Sequence, residues 1–134
     1  AKKINKFNGG LLIFDYGSIT GKNRDTLQSV KSHKYKNIFL SPGNADITSH
    51  VNFNLFFEIL NKSNLNVKKA ITQNEFLKKV GILERASILS KKMTFKEKTN
   101  MFFRLKRLLD YKEMGNIFKV LFASKKGNRF NLGF

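Results

Sequence analysis

Apolar residues crowd into a few short runs along this chain, and the spacing inside each run selects an element. Gly9-Gly10-Leu11-Leu12-Ile13-Phe14-Asp15-Tyr16-Gly17 is a near-continuous apolar stretch with glycine at both ends. It predicts a strand over Leu11–Phe14 buried on both faces, as in a parallel sheet. From Ser18 to Asn37 the chain turns polar and basic, which predicts a long surface excursion, and Ser41-Pro42-Gly43-Asn44 predicts a turn. Asn52 is placed to cap a helix whose stripe Phe53, Phe56, Phe57 and Leu60 follows i, i+3, i+4, i+7. Val67 to Ile71 predicts a short strand with Lys68 and Lys69 on its outer edge. Thr72-Gln73-Asn74-Glu75 is a capping box, opening a helix that buries Phe76, Leu77 and Val80 and stops at Gly81. Thr94-Phe95-Lys96-Glu97 opens a longer helix with a core stripe of Met101, Phe102, Leu105, Leu108 and Leu109, and with Lys98, Arg104 and Lys106 outward. Ile117 to Ala123 predicts a second strongly apolar strand. A basic tail follows, carrying Phe130, Leu132 and Phe134.

The order strand, excursion, helix, short strand, helices, strand describes one α/β unit over residues 1–134, without repeats or linkers. A strand buried on both faces needs parallel neighbours, and this chain offers few. Leu11 to Phe14 is therefore expected to lie at a bare sheet edge, as in half of a fold.

Composition changes the picture in three ways. Of 134 residues, 41% are hydrophobic and 14 are Phe, enough for a core and against wholesale disorder. The absence of Cys removes disulfides, zinc knuckles and thiol nucleophiles. Lys2, Lys3 and Lys6 precede only a short apolar run, which does not read as a signal peptide, and no run approaches a bilayer span. A reducing, soluble compartment is expected. The chain opens on Ala1, as a processed protein or a piece of a longer one does. The third change is charge: 26 Lys+Arg against 9 Asp+Glu give +17. Such a balance suits a nucleic-acid binder or a module for an acidic protein partner. Yet the lysines are spread from Lys2 to Lys126, Asn is abundant, and no aromatic strand signature of an RNA-recognition domain occurs. A solvated basic surface without specific nucleic-acid recognition explains this distribution better.

Candidate chemistry is sparse. Gly17-Ser18-Ile19-Thr20-Gly21-Lys22 follows a strand as a phosphate loop does, but its spacer is one residue short and Asn23 replaces the metal-binding hydroxyl. No G-x-G-x-x-G occurs, so no cofactor-binding residues are assigned. His33 and His50 lack enough partners for a metal site. Two segments stand out. Asp15 and Tyr16 end the first strand, where ligands bind in open parallel sheets. Pro42 to Phe53 concentrates Asp46, Thr48, Ser49 and His50; the plainer alternatives are Asp15 as a turn cap and Asp46, Thr48 and Asn52 as side-chain to backbone turn formers.

In order, Gly9–Gly17, Asp25–Lys34, Pro42–Phe53, Thr72–Ile82, Glu84–Ala86, Met114–Leu121 and the terminal Gly-Phe resemble the C-terminal half of the MidA-type family of S-adenosylmethionine-dependent methyltransferases. That family has bacterial members and a mitochondrial branch that methylates protein arginine in complex I assembly. The resemblance implies the C-terminal part of a Rossmann-like class I methyltransferase sheet with covering helices, the strand at Leu11 being the fifth of seven and Val67–Ile71 and Ile117–Ala123 the last two. It implies S-adenosylmethionine as cofactor, bound by an N-terminal half not in this chain, so that the chain alone is inactive and binds no donor. Within that scheme Asp15 and Tyr16, at the strand end, are expected to line the acceptor pocket with Asp46, Thr48 and His50 nearby, an acid there orienting a guanidinium. The N-terminal half or a homodimer partner would cover the bare edge, a protein would be substrate, and the setting would be bacterial cytoplasm or mitochondrial matrix. Where the family usually has His-Val-Asp-Phe, this chain has His50-Val51-Asn52-Phe53. The amide keeps helix capping and gives up negative charge.

Overall fold

The two apolar runs near the ends of the chain become its two longest strands and lie side by side. The computed structural model describes residues 1–20, 25–40, 42–131 and 133–134. Its elements are α1 (Lys2–Phe7), β1 (Gly10–Ser18), β2 (Gln28–Lys31), β3 (Lys34–Lys36), β4 (Asp46–Thr48), β5 (Val51–Asn52), α2 (Phe53–Lys62), β6 (Leu65–Val67), β7 (Ile71–Thr72), α3 (Gln73–Lys79), α4 (Ile82–Ser90), α5 (Phe95–Leu109), α6 (Met114–Ile117) and β8 (Phe118–Lys125). Gly21, Lys22 and Asn23 of the rejected phosphate loop, Ser41 of the predicted turn, and Leu132 of the tail lie outside the described residues.

The main sheet runs β5-β1-β8-β6, with β7 also on β8. β1 and β8 are antiparallel, in register from Gly10 opposite Ser124 to Tyr16 opposite Phe118. β6 and β7 are antiparallel to β8 on its other side, so β8 is a reversed strand between β1 and β6. The expected fifth strand and last two strands are thus neighbours. The expected Val67–Ile71 strand is instead two pieces, β6 and β7, because the chain loops off the sheet between them. The Lys68 N–H still donates to the Phe122 carbonyl at 2.8 Å.

Burial on both faces, expected of β1, belongs to β8. Val120, Leu121, Phe122, Ala123 and Ser124 are all buried, Leu121 and Ala123 against the core of Phe53, Leu60 and Leu65, and Phe122 on the opposite face against the rings of Phe130 and Phe134. β1 alternates. Leu11 and Ile13 pack on the core of Phe53, Leu60, Leu65, Leu121 and Ala123. On the opposite face Phe14 meets the Phe76 ring of α3 edge-on at 5.0 Å, yet Leu12 and Phe14 remain 47% and 42% exposed. On its outer edge β1 is paired only at Gly17 and Ser18, with β5 in parallel; among the described residues Gly10–Tyr16 have no partner there. That bare edge is a template for another strand. The isolated chain is expected to self-associate more as salt screens its +17 charge, and sedimentation across a salt series would refute this by showing a monomer throughout.

The polar excursion hides structure that its composition did not announce. β2, β3 and β4 form a separate three-stranded antiparallel sheet. Ser32 and His33 make the two-residue turn between β2 and β3, both at positive φ (50° and 61°) as a primed hairpin turn requires. Neither residue is a usual signal for that turn.

Helix starts are as the sequence predicts. Asn52 Oδ1 accepts the Leu55 N–H at 3.1 Å, and both capping boxes form, Thr72 with Glu75 and Thr94 with Glu97. Gly81, at φ 86°, ends α3 and opens α4. Two stripe assignments are corrected. Phe56 of α2 and Phe102 of α5 point outward, 42% and 62% exposed, because each lies at the margin of its apolar sector. Ile117 closes α6 rather than starting β8.

Hydrogen bonds from the Thr72 amide and hydroxyl hold the Glu75 carboxyl below its ordinary range despite partial desolvation, with help from Lys79 and Lys119. Those from Thr94 do the same for Glu97. A carboxyl lowered in the folded state stabilises above its unfolded value and loses that contribution as pH falls through the folded one. Thr72→Ala is therefore expected to cost about 1 kcal/mol at neutral pH, with the gap to wild type narrowing in acid. Thermal melts from neutral to acid pH measure it, and a constant gap would rule out the carboxylate's part.

Candidate functional site

The carboxyl end of β1 is the natural place to build a site, because β5 lies parallel beside it and carries the Pro42–Phe53 segment to it. Gly17 opposite Val51 and Ser18 opposite Asn52 fix this approach. Gly17 makes it close: a Cβ there would overlap the Val51 carbonyl oxygen and sit 3.0 Å from the Phe53 ring. His50 precedes β5 and is thereby brought to Tyr16. Their rings meet edge-on at 5.6 Å, and Tyr16 meets Phe118 on β8 the same way at 5.9 Å. The His50 N–H donates to Thr26 Oγ1 at 3.0 Å, tying this corner to the small sheet's approach. His50 itself is exposed, and Tyr16 is half-buried.

Successive strand residues point to opposite faces, so Asp15 does not share the Tyr16 side. Its Oδ1 accepts the Tyr16 N–H at 2.8 Å, and across the sheet it stands opposite Lys119, which stands opposite Thr72. Asp46 is exposed on β4, opposite Val30, within the separate small sheet. Of the four residues singled out by sequence, the structure therefore joins Tyr16 and His50, sets Asp15 behind them, and places Asp46 on another sheet.

Lys119 escaped sequence reasoning, although it is the one charge inside the run Ile117–Ala123. It is only 7% exposed, and its ammonium donates to the Asn116 carbonyl and to Asn116 Oδ1 at 3.4 Å. Burial lowers its pKa, and the Glu75 carboxylate works against that shift. A cleft of ≈ 280 Å³ lies on the other side of the strand ends, lined by Ile19, Phe53, Asn54, Phe57, Lys69 and Ala70. None of the four candidate residues lines it. Among the described residues no three His, Asp or Glu side chains converge as a metal site would require.

A family model described as "Putative S-adenosyl-L-methionine-dependent methyltransferase" matches residues 1–71, more than half of the chain. The chain belongs to this methyltransferase family. Among curated relatives of this chain, protein arginine methyltransferase NDUFAF7, mitochondrial, from Xenopus tropicalis is 37% identical over 92 residues, covering 69% of this chain and 21% of the relative. The Homo sapiens protein of that name is 28% identical over 131 residues, 98% of this chain and 27% of the relative. The chain thus spans about a fifth to a quarter of the length of these relatives. A crystal structure of a COG1565 superfamily member from Burkholderia thailandensis, bound to S-adenosyl-homocysteine, superposes with a TM-score of 0.77 at 25% identity, covering 94% of this chain and 34% of that one. A native structure from the same organism gives 0.78 at 26% identity, 95% and 35%. The fold is accordingly that of a Rossmann-like class I methyltransferase sheet with helices on it, as the sequence led one to expect.

Proposed function

We propose that this chain is the C-terminal, acceptor-side portion of an S-adenosylmethionine-dependent methyltransferase that modifies protein arginine. The observation that carries the reading is the corner at the end of β1, where parallel β5 delivers His50 to Tyr16 and Asp15 ends the same strand on its other face. The arginine methyltransferases among its relatives, and the likeness to a structure bound to S-adenosyl-homocysteine, support the choice of reaction.

The methyl donor does not fit the residues described here. The glycine ending β1 serves strand packing, since a side chain there would meet Val51 and Phe53 rather than an open cradle. The donor is assigned to the N-terminal half of a longer protein, where it would supply an electrophilic methyl group. This chain's part is to hold the acceptor. A guanidinium needs a flat apolar or aromatic surface and a carboxylate to orient it. Tyr16, His50 and Phe118 offer the rings. Asp15, behind these rings at the same strand end, is the acid an acceptor would reach around the end of β1, whereas Asp46 lies on the separate small sheet. Positioning and water exclusion are the contribution expected of such groups. The relatives' names support a mitochondrial matrix setting, and the bacterial neighbours support a bacterial cytoplasmic one.

Replacing the matching segment of a full-length family member by this chain tests the proposal. The chimera should transfer labelled methyl from S-adenosylmethionine to arginine, identified after hydrolysis. A folded chimera that binds the donor and labels another residue type, or none, would defeat it.

A further inference from the structure

The apolar sector of α5 is wide, and only part of it is covered. Met101, Leu105, Leu108 and Leu109 are half-buried on the side that meets α3 and α6. Phe95, Phe102 and Phe103, spaced i, i+7, i+8, extend this apolar sector past its covered margin, with Phe102 next to Leu109 around the helix. They are 86%, 62% and 62% exposed, and the last two rings stack edge-on at 5.9 Å. Beside them Phe102, Leu105 and Leu109 meet Leu83 of α4 in an open groove rimmed by Lys78 and Lys106.

The charge around these rings has one sign. Lys91, Lys92, Lys96, Lys98, Arg104, Lys106 and Arg107 are all exposed. From Lys91 to Arg107 the one acid is Glu97, whose Oε2 accepts the Thr94 amide and hydroxyl at 2.7 Å in the capping box. A helix with Phe on one sector and Lys/Arg alongside has the composition of an element that lies in a membrane interface. At 15 residues α5 is too short to cross, and no described helix is long and apolar enough to do so. Phe95 and Phe103 stand out into solvent and only Phe102 edges the groove, and a run of rings mostly outside a trough suits a deformable surface.

We infer that α5 docks the protein on an anionic lipid surface, with Phe95, Phe102 and Phe103 entering the headgroup–acyl boundary and the flanking lysines and arginines meeting lipid phosphates. This stands apart from the methyl-transfer reading, since none of these residues touches the β1 corner. Lysine attraction alone would bind a +17 chain loosely to any anionic vesicle, so the decisive observation is ring insertion.

The chain has no Trp, and Phe102→Trp therefore gives a single fluorescent reporter. With phosphatidylcholine vesicles containing phosphatidylglycerol, its emission should shift to the blue and be quenched by brominated acyl chains; with phosphatidylcholine alone it should do neither. The variant Phe95→Ser, Phe102→Ser, Phe103→Ser keeps the net charge and should lose about tenfold or more of its vesicle affinity by co-sedimentation. Tyr35→Ser with Phe39→Ser, two exposed aromatics on the small-sheet side, should bind like the parent. Circular dichroism confirms that each variant is folded. Equal binding by the triple variant would leave only dispersed lysine contacts and overturn the inference. So would an unshifted reporter on anionic vesicles. A blue shift without lipid that grows with protein concentration would instead assign the face to a second copy of the chain.

Discussion

Asp15→Asn, placed in a chimera with the N-terminal half of a family member, is expected to lower methyl transfer by about a hundredfold while leaving donor affinity unchanged. Asn is close to isosteric with Asp, and its amide oxygen can still accept the Tyr16 N–H that Asp15 Oδ1 accepts at 2.8 Å. What the change removes is the charge. If Asp15 only shapes the end of β1, Asn should serve as well and turnover should stay normal. If it orients a guanidinium, turnover falls with no change in fold. Isothermal titration of donor together with initial rates on an arginine peptide separates the two, and a variant with wild-type turnover would reduce Asp15 to a structural role. His50→Ala provides contrast: it removes the ring packed on Tyr16 without touching charge at Asp15.

Phe53→Ala is expected to cost about 3–5 kcal/mol, a large share of the total stability of a domain this size. Phe53 is fully buried, opens α2 directly after the Asn52 cap, and joins Leu60, Leu65, Leu121 and Ala123 in the core. Its ring also lies against Gly17, so the cavity left behind would undermine the contact between β1 and β5. Phe56→Ala, on the same helix but 42% exposed, should cost about 1 kcal/mol or less. Urea unfolding of both variants checks the difference, and equal losses would mean that α2 is not seated as described.

What the sequence revealed follows from which interactions are local. Caps at Asn52, Thr72 and Thr94 depend on residues three positions apart, and all three formed as read. The two long strands were visible because each is a dense apolar run. Which of them is buried on both faces depends on what packs above and below each strand, and nothing within Leu11–Phe14 or Val120–Ala123 encodes that. The small sheet was missed because a hairpin turning on Ser32-His33 between lysine-rich strands lacks the glycine or asparagine that usually marks such turns. The candidate site was legible as two segments and no further. Strand alternation separates Asp15 from Tyr16, and the β5 pairing that brings His50 to Tyr16 is non-local. Lys119 was in plain view as a charge within an apolar strand, but its burial beside Asn116 emerges only from packing.

β8 is the common partner of β1, β6 and β7, yet it is the last strand described to be synthesised. During translation, β1, β6 and β7 lack this shared partner until residues 118–125 leave the ribosome. The pairing of Gly10 with Ser124 closes almost the full length of the chain, a costly loop that slows assembly. Until then the apolar run at Leu11–Phe14 waits unpaired, and its protection falls to chaperones or to whatever lies ahead of it on the same polypeptide. A stop codon placed just before Phe118 should therefore leave a nascent product without the main sheet, in which even the well-capped helices have nothing to pack on.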